Sequence, residues 1–512
     1  MEAATLSRGR PASLAQSLRE AARTRSRAFW IVAGLTLLAA VLRFATLGLQ
    51  AYHHDEVITA NRVLSGSFFH AMDAVGFSES APPLYYALAW FWTQLTGTGE
   101  FGLRSLSALA GVVTVPVVYL IGLELRGRRV GLVAAALVAV NPMLLWYSQE
   151  GRAYALLVLL CAVSLLYCVR ALRRGERRDV VLWGVFSGLA LATHYFAFFP
   201  LLVEAIWLWR RRGRASLPGL GVLLGFGLAL APLAIHQTSL GHAEWIGNVS
   251  LGHRLWETAA TFLTGETTDI IAQPERPSLA FVPLALALAA LVLLAIRGSR
   301  EERRSAALPL SLALAAIAIP VLLAVIPGGK DFVIARNVMP ALVPLLLVVA
   351  IGVTLPAARR LGRAIAAVLL VYSLGFCIWA SVAPDLQRPD WRTVAADVGE
   401  PQAPRALVSW VLAKASLRYY LADGAFQAFP AEGYDWLVHE IVFISDGEVP
   451  PPPRRLLGPG FRETSREQAG GLFIRHFELP GPGLAPLRLR QLKQARLGFP
   501  NVATMLDGIG PG

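Results

Sequence analysis

The chain has 512 residues, of which 55% are hydrophobic and only 16% are charged, and its mean hydropathy is +0.53. Because about a quarter of the residues of an ordinary soluble protein are charged, this composition excludes that class. A formal net charge of +13 is compatible with nucleic-acid binding. The basic residues, however, lie in short loops between apolar runs and form no basic domain, so no nucleic-acid partner is expected. The three cysteines lie within apolar runs and predict neither a disulfide framework nor a metal cluster.

Apolar runs of about 18 to 22 residues recur along the first three quarters of the chain, which predicts a polytopic α-helical membrane protein. The first run follows an arginine-rich stretch, Arg8 to Arg27, is longer than a signal-peptide core and lacks a small-residue cleavage site. We therefore expect a retained span and a cytoplasmic N-terminus. About eleven spans are expected, near 29–49, 103–125, 130–148, 153–171, 179–195, 197–210, 217–236, 279–297, 306–327, 333–356 and 362–383.

Every second loop between these spans is rich in arginine, and the loops between them carry no such run. The arginine-rich loops lie at 126–129, 170–178, 210–214, 297–304 and 359–363. By the positive-inside rule they face the cytoplasm, and the alternate loops face outward. The region 179–210 decides the pattern. It forms either one long broken helix or two short helices, and a single crossing would invert everything downstream.

The expected organisation follows from this alternation. A cytoplasmic basic N-terminus, 1–28, precedes a transmembrane catalytic domain, 29–383, whose larger outer loops are 50–102 and 237–278. The segment 384–512 follows the last span, and its composition shifts to mixed and charged residues. We therefore expect a small α/β domain on the extracytoplasmic side.

Local patterns predict a few elements outside the spans. A short amphipathic helix is expected at Pro83–Leu95 in the first outer loop, where it is too short to span. In the C-terminal segment, Val408–Leu412 and Ile441–Ile444 have strand composition. A helix is expected near Trp391–Val398.

Four ionisable residues, His53 to Glu56, stand in a row just beyond the first span. They cannot enter hydrocarbon cheaply, so we expect them at the outer membrane surface. A carboxylate held there can accept a proton from a molecule that meets a lipid-borne partner. Other polar residues fall on the same outer side: Glu79, Tyr85, Arg104, Glu150, Arg152, Tyr154, His194, Tyr195, Lys330 and Arg336.

Each of these residues also has a structural interpretation. Asp55 can cap a helix, and Glu150 can simply pair with Arg152. Arg104 either snorkels from a span end or binds a phosphate. Six outer histidines could bind zinc, but no ligand spacing supports a site, so no metal is predicted and a divalent metal stays an unsupported possibility. These histidines are His53, His54, His194, His236, His242 and His253.

The chemistry is limited by the absence of a nucleotide-binding loop from the sequence. A membrane enzyme with its site on the outer face needs an activated substrate that reaches that leaflet. A sugar carried on a polyprenyl phosphate meets this requirement. Cations would then stabilise the phosphate as it leaves, and a carboxylate base would activate the acceptor hydroxyl.

A series of motifs along the chain carries a family resemblance. They are His54-Asp-Glu56, Ala81-Pro-Pro-Leu-Tyr-Tyr86, Phe101-Gly-Leu-Arg-Ser105, Tyr147-Ser-Gln-Glu-Gly-Arg-Ala-Tyr-Ala-Leu156, Thr193-His-Tyr-Phe196, Arg336-Asn-Val-Met-Pro340 and Arg388-Pro-Asp-Trp-Arg392. In this order they resemble bacterial relatives of the dolichyl-phosphate-mannose protein mannosyltransferases. These form glycosyltransferase family 39 of the GT-C membrane class, which includes the aminoarabinose transferase acting on lipid A.

The resemblance implies a GT-C fold and transfer of a sugar from a polyprenyl-phosphate donor, with inversion at the anomeric carbon. It places the base at Asp55 and a phosphate-supporting arginine at Arg104. Two departures limit it. Asn337 follows Arg336 where the family has an aromatic residue, and the C-terminal segment lacks sugar-binding trefoil repeats, so a protein acceptor does not follow.

The expected site therefore combines three sets of outer residues. Asp55 and Glu56 are the expected catalytic residues. The expected ligands of the donor phosphate are Arg104, Arg152, Arg336 and Lys330. The expected substrate-binding residues are His54, Glu79, Tyr85, Glu150, Tyr154, His194 and Tyr195.

The expected partners are a polyprenyl-phosphate sugar, a glycan, lipid or protein acceptor, and membrane lipid, in a bacterial cytoplasmic membrane. Two alternatives stay open. A transporter or flippase of lipid-linked glycans would place ionisable residues near mid-membrane in broken helices. A zinc-dependent membrane enzyme would need His53 or His54 to coordinate metal together with a carboxylate.

Overall fold

The computed structural model describes residues 14–241, 243–267, 278–410, 413–421, 436–445, 457, 460–487 and 502–507. The helices are α1 (Leu14–Phe44), α2 (His54–Val57), α3 (Phe68–Ser78), α4 (Leu84–Thr96), α5 (Glu100–Arg126), α6 (Arg128–Ala139), α7 (Pro142–Ser148), α8 (Tyr154–Arg174), α9 (Arg177–Thr193), α10 (Phe198–Arg212), α11 (Leu217–Ser239), α12 (Leu251–Thr264), α13 (Ser278–Arg297), α14 (Arg300–Val325), α15 (Leu342–Val353), α16 (Arg359–Val382), α17 (Trp391–Val398) and α18 (Ala413–Tyr420). A π-helical segment, Ile58–Val63, continues α2. The strands are β1 (Arg405–Trp410), β2 (Trp436–Val438), β3 (Glu440–Ser445), β4 (Arg462–Ala469), β5 (Leu472–Glu478), β6 (Ala485–Leu487) and β7 (Val502–Asp507). The predicted class, a polytopic helical protein with a small C-terminal α/β region, is confirmed.

Each predicted span corresponds to a helix or a helix pair, but fewer segments qualify as spans than the sequence predicted. Within the described residues seven are long and apolar enough, or eight if the bent pair α6–α7 is one span. One of the seven, Tyr195–Ser239, contains both α10 and α11. The helix α9 has 17 residues and α15 has 12, or roughly 25 and 18 Å of a core about 30 Å thick. Both pack between neighbouring helices, where short helices are tolerated.

The uncertain region 179–210 forms two helices, α9 and α10. The indole N–H of Trp183 in α9 donates to the Glu204 carboxylate in α10 at 2.7 Å, and the break between the two helices lies midway between these residues. At the far end of α10, Arg212 donates to the Ala171 carbonyl near the end of α8 at 2.9 Å. Thus α10 returns antiparallel beside α9, and the two-helix alternative is the correct one.

The arginine-rich helix ends meet on one side of the bundle, here called the arginine-rich face. Glu124 near the end of α5 pairs with Arg170, Arg173 and Arg174 at the end of α8. Arg126 pairs with Glu301 at the start of α14 at 2.6 Å. The common location of these ends fits the predicted alternation of loops, since every second loop must then reach the opposite face.

The predicted span 130–148 is broken in its middle. Pro142 begins α7 and Asn141 caps it, so that α6 and α7 meet at an angle of 56°. The fully buried Arg43 of α1 donates to the Ala139 carbonyl at 3.1 Å and the Val138 carbonyl at 3.4 Å. These carbonyls are released at the end of α6, so a cation at this position satisfies them. The break directs the loop after α7 toward the face opposite the arginines.

The two predicted outer loops contain more helix than the sequence indicated. The predicted helix Pro83–Leu95 is α4, whereas α12 in the second loop had no sequence signal. Arg254 of α12 pairs with Asp331 at 2.8 Å, which fixes this loop to the segment that precedes α15. Residues 268–277 of the loop lie outside the described part of the chain.

The C-terminal region is a small α/β unit. The predicted helix is α17, and the predicted strands are β1 and β3, while Val411 and Leu412 lie outside the described residues. The main sheet has the order β4-β5-β3-β1-β7, with β1 and β3 parallel and the other pairs antiparallel. A second sheet pairs β2 with β6. Its core combines residues from helices and strands, including Val394, Leu407 and Val442.

The predicted orientation can be tested by cysteine labelling. Ser65 and Ala215 are both exposed, the first in the first outer loop and the second on the arginine-rich face. We expect Ser65→Cys to react with a membrane-impermeant maleimide in intact cells, and Ala215→Cys to react only after permeabilisation. The unsubstituted chain, with Cys168 and Cys377 buried, gives the background. Labelling of Ala215→Cys in intact cells would show that the orientation is inverted.

Candidate active site

The predicted outer residues converge at the helix ends opposite the arginine-rich face. Four segments meet there: α2, the loop between α7 and α8, the segment before α15, and the first residues of the C-terminal region. Glu56 lies at the centre of this convergence. The segments that meet are far apart in the sequence, so only the fold brings them together.

Glu56 is held by a set of short hydrogen bonds. Its Oε1 accepts from Arg104 Nε at 2.7 Å and from the Gly151 backbone N–H at 2.7 Å. Its Oε2 accepts from Arg104 Nη2 at 2.8 Å and from the His53 backbone N–H at 3.0 Å. Burial opposes ionisation, but the charges of Arg104 and Arg388 outweigh it and keep the pKa of Glu56 below its ordinary value. This carboxylate is therefore an ionised structural anchor.

The geometry does not fit two of the predicted roles. An arginine has five N–H donors, and those of Arg104 all point into the protein: two to Glu56 and the rest to the carbonyls of Leu47, Gln50 and Ala51. Arg104 has no N–H left for a donor phosphate, and Glu56 has no oxygen free to act as a base. The sequence shows that Glu56 and Arg104 are charged, but it does not show that these two residues, 48 positions apart, pair with each other.

Asp55, the next residue in the chain, is placed differently. Its side chain is 20% exposed, and its contacts are long: 3.3 Å to His54 Nε2 and 3.4 Å to Arg336 Nη1. Burial favours the neutral carboxyl, but His54, Arg152 and Arg336 outweigh it and hold the pKa of Asp55 well below its usual range. Burial lowers the pKa of His54, and the Asp55 charge opposes this shift. Asp55 is thus an ionised and accessible carboxylate.

Arg152 pairs with Glu79 and not with Glu150, which was the structural alternative from the sequence. Its Nη1 donates to Glu79 Oε2 at 2.7 Å and to Thr59 Oγ1 at 3.0 Å. The Tyr86 hydroxyl donates to the same Glu79 oxygen at 2.7 Å. Burial raises the pKa of Glu79, although Arg152 opposes this. Glu79 therefore holds Arg152 at the edge of the site, close to Asp55.

Arg388 was quoted within a sequence motif but given no role. Its guanidinium lies 3.1 Å from Glu150 Oε2 and 3.5 Å from Glu56 Oε2, and it donates to the Gln149 carbonyl at 3.0 Å. It also stacks over the Trp146 ring at 4.5 Å. Burial raises the pKa of Glu150, and Arg388 opposes the shift. Apart from the motif Arg388–Arg392, nothing in the sequence indicated this role of Arg388, because its partners Glu56 and Glu150 lie in distant loops.

An aromatic wall stands beside Arg336. The Tyr154 ring packs against Tyr147 at 4.8 Å and His194 at 5.6 Å. Burial, assisted by the charges of Arg152 and Arg336, lowers the pKa of His194 to about 3, so that its ring is neutral. The Tyr147 hydroxyl donates to Glu266, a carboxylate just after α12 that sequence reasoning missed. No local pattern could have indicated that contact.

Three predicted site residues do not join this cluster. Tyr85 is fully buried, with its hydroxyl 3.2 Å from Ser107 Oγ. The Tyr195 hydroxyl donates to Gln237 Oε1 at 2.8 Å, and the Gln237 amide in turn holds the first outer loop. Lys330 is exposed to solvent. The geometry gives Tyr85 and Tyr195 structural contacts in place of the predicted substrate contacts.

A metal site is the remaining alternative. His53, His54 and Asp55 offer ligand atoms that lie within 4.8 Å of one another. Arg336, however, is 3.4 Å from the Asp55 carboxylate, and a guanidinium there opposes a divalent cation. Of the other histidines, His236 packs on Phe77, His253 lies on α12, and His242 falls outside the described residues.

Comparisons with known proteins show which family and which fold this chain is similar to. A family model described as dolichyl-phosphate-mannose-protein mannosyltransferase matches residues 80–236. The structure is similar to a crystal structure of ArnT from Cupriavidus metallidurans bound to undecaprenyl phosphate, with a TM-score of 0.54, 14% identity, and coverage of 87% of this chain and 97% of that one. The apo form of the same protein gives a TM-score of 0.54, 15% identity, and coverage of 88% and 98%. Among curated proteins no match is found.

At these identities the solved structures show a common fold, and the family match covers the loops from Ser80 through the α7–α8 loop to α11. The predicted resemblance and the predicted class, a membrane-embedded glycosyltransferase with the GT-C architecture, are confirmed. The roles of individual residues stay predictions.

The difference between the two neighbouring acids can be tested by stability. Glu56→Gln leaves the buried Arg104 without its carboxylate, and breaking a buried ion pair costs about 3–5 kcal/mol. Asp55→Asn removes only long, partly exposed contacts and should cost less than about 1 kcal/mol. We expect thermal unfolding in detergent to show a much lower midpoint for Glu56→Gln alone. Equal losses for the two variants would contradict this division.

Proposed function

We propose that this chain, a membrane glycosyltransferase of the GT-C class, transfers a sugar from a polyprenyl-phosphate donor to an acceptor hydroxyl on the outer face of a bacterial cytoplasmic membrane. The observation that carries the proposal is Asp55, an ionised and partly exposed carboxylate beside Arg336 at 3.4 Å. A polyprenyl phosphate is also what the similar ArnT structure contains, as undecaprenyl phosphate.

Asp55 is the proposed base. As the acceptor oxygen attacks the anomeric carbon from the side opposite the phosphate, its proton passes to an Asp55 oxygen. The bond between the anomeric carbon and the phosphate oxygen breaks, and the polyprenyl phosphate leaves with the electron pair. Attack from the opposite side inverts the anomeric configuration. Glu56 cannot take this role, because both of its oxygens accept hydrogen bonds from buried partners.

Arg336 and Arg152 are the proposed ligands of the phosphate. Arg336 is 27% exposed, and its one hydrogen bond in the described residues is the long contact to Asp55. Among the described residues, Arg152 hydrogen-bonds to Glu79 and Thr59 through Nη1, which leaves its other donors for a ligand. Guanidinium groups match phosphate geometry and stabilise the negative charge that develops on the leaving oxygen.

The sugar is proposed to lie against the aromatic wall. Tyr154 and His194 are packed together next to the two arginines, and His54 lies beside Asp55. Neutral rings of this kind can cover an apolar sugar face without competing for the phosphate. Glu266, which accepts a hydrogen bond from Tyr147, is a further acceptor proposed for sugar hydroxyls.

Loss of the base should abolish transfer. We expect Asp55→Asn to lower the rate of sugar transfer in membranes by about 10²–10⁴-fold, which is the contribution of general base catalysis. The measurement is transfer from a panel of radiolabelled polyprenyl-phosphate sugars, at expression levels matched to the wild type. Full activity of Asp55→Asn, or no transfer from any donor by the wild type, would contradict the proposal.

The same membranes test the metal alternative. Since two guanidinium groups flank Asp55, treatment with EDTA should leave transfer unchanged. Loss of activity with EDTA that zinc restores would instead favour metal bound by His53, His54 and Asp55.

The phosphate role of Arg336 predicts a donor-specific defect. Arg336→Gln should raise KM for the donor and lower kcat, because the charge it contributes increases in the transition state. Arg62→Gln, an exposed arginine in the same outer region, is the matched control and should behave as the wild type. An unchanged donor KM and kcat in Arg336→Gln would exclude this role.

A further inference from the structure

The C-terminal region contacts the catalytic loop, defined here as Tyr52–Glu56, at its start. The Tyr52 backbone N–H donates to the Tyr420 hydroxyl at 2.7 Å, and this hydroxyl donates to Glu100 Oε1 at 2.7 Å. Tyr420 ends α18, so a single hydroxyl joins the α/β region, the catalytic loop and the first turn of α5. Tyr52 lies three residues before Asp55, and its position limits where Asp55 can lie.

The same region contacts the loop at its other end. Arg388, just beyond α16, lies 3.5 Å from Glu56 Oε2 and 3.1 Å from Glu150 Oε2. It also donates to the Gln149 carbonyl, so it ties the α7–α8 loop to the catalytic loop. Asp55 is thus held between two contacts from the C-terminal region, one on each side in the sequence.

These contacts have the properties of positioning groups and not of general packing. Arg388 is buried, and two of its contacts are with carboxylates, Glu56 and Glu150, which fix direction as well as distance. A neighbouring contact also holds the C-terminal region against the segment before the catalytic loop: Arg392 donates to the Leu49 carbonyl at 2.5 Å. Small displacements of a catalytic group can lower a rate by on the order of 10²-fold.

We propose that Arg388 and Tyr420 are positioning residues for Asp55, so that the C-terminal α/β region is a working part of the active site. This inference rests on the proposed function, in which Asp55 is the base. The C-terminal region then fixes the position of the catalytic loop, whatever acceptor the protein uses.

Arg388 also pairs with two carboxylates near the base, Glu56 and Glu150. The titratable and charged groups that surround Asp55 are His53, His54, Glu56, Glu79, Glu150, Arg152, Tyr154 and Arg336. Burial raises the pKa of Glu150 and Arg388 opposes the shift, so without Arg388 the Glu150 carboxyl binds a proton more readily and takes up the lost charge. The expected loss of activity therefore comes from the position of Asp55 and not from its titration.

The first test separates a positioning role from a structural one. Arg388→Gln should lower kcat by about 10- to 100-fold with little change in donor KM. Arg388→Lys keeps a cation beside Glu56 and Glu150 and should recover part of the lost kcat. Arg418→Gln, an exposed arginine of α18, is the matched control. A wild-type kcat in Arg388→Gln, or a defect that Arg388→Lys does not relieve, would overturn the role.

The second test removes one hydroxyl. Tyr420→Phe keeps the ring but loses both hydrogen bonds, and we expect kcat to fall by about tenfold with donor KM unchanged. Tyr419→Phe is the matched control, because Tyr419 contacts Tyr52 through its ring at 5.7 Å. Equal activity of Tyr420→Phe and Tyr419→Phe would overturn the role of Tyr420. Asp55→Asn separates the two proposals: if it is inactive while Arg388→Gln and Tyr420→Phe are normal, only this inference fails.

Discussion

The face opposite the arginine-rich one is organised by one interaction, the buried ion pair of Glu56 and Arg104. Neither charge could stay in this environment alone, because an unpaired buried ion is very costly. The pair joins the catalytic loop to α5, and the remaining donors of Arg104 and the Gly151 N–H join both to their neighbours. With Glu56 turned inward, Asp55 as its neighbour in the chain is left at the surface of the site. The pair therefore determines which of the two acids is accessible to a ligand.

The broken helix and the buried Arg43 have a related effect on the opposite side of the site. Because α7 starts at Pro142 after a sharp bend, the loop that follows it reaches Glu56 with its backbone N–H and Arg388 with Glu150. Arg43 makes this break tolerable by binding the carbonyls that the end of α6 leaves unpaired. Two costly features, a helix break and a buried cation, thus stabilise each other and place one wall of the site.

Sequence alone predicted the fold class, the alternating loops and the segments that form the site, since these follow from local composition and motif order. It did not predict which charges would pair. Arg104 meets Glu56 at a separation of 48 residues, and Arg388 meets Glu150 at 238, distances over which spacing carries no information. The sequence therefore predicted that Arg104, at the end of a span, binds the donor phosphate, whereas in the structure all of its N–H donors bond to protein acceptors. Hydropathy likewise cannot separate a spanning helix from a short one buried by neighbours, as α9 and α15 show.

The low pKa of Asp55 raises the question of how so weak a base can accept a proton. Its pKa is depressed by His54, Arg152 and Arg336, and the two arginines are the groups that are proposed to bind the donor phosphate. When a phosphate binds, its negative charge offsets these cations and Arg336 can leave its long contact with Asp55. Asp55 then becomes more basic only once the donor is in place. Under the proposed function, this coupling favours donor binding before acceptor activation and protects the empty site from unproductive proton transfer.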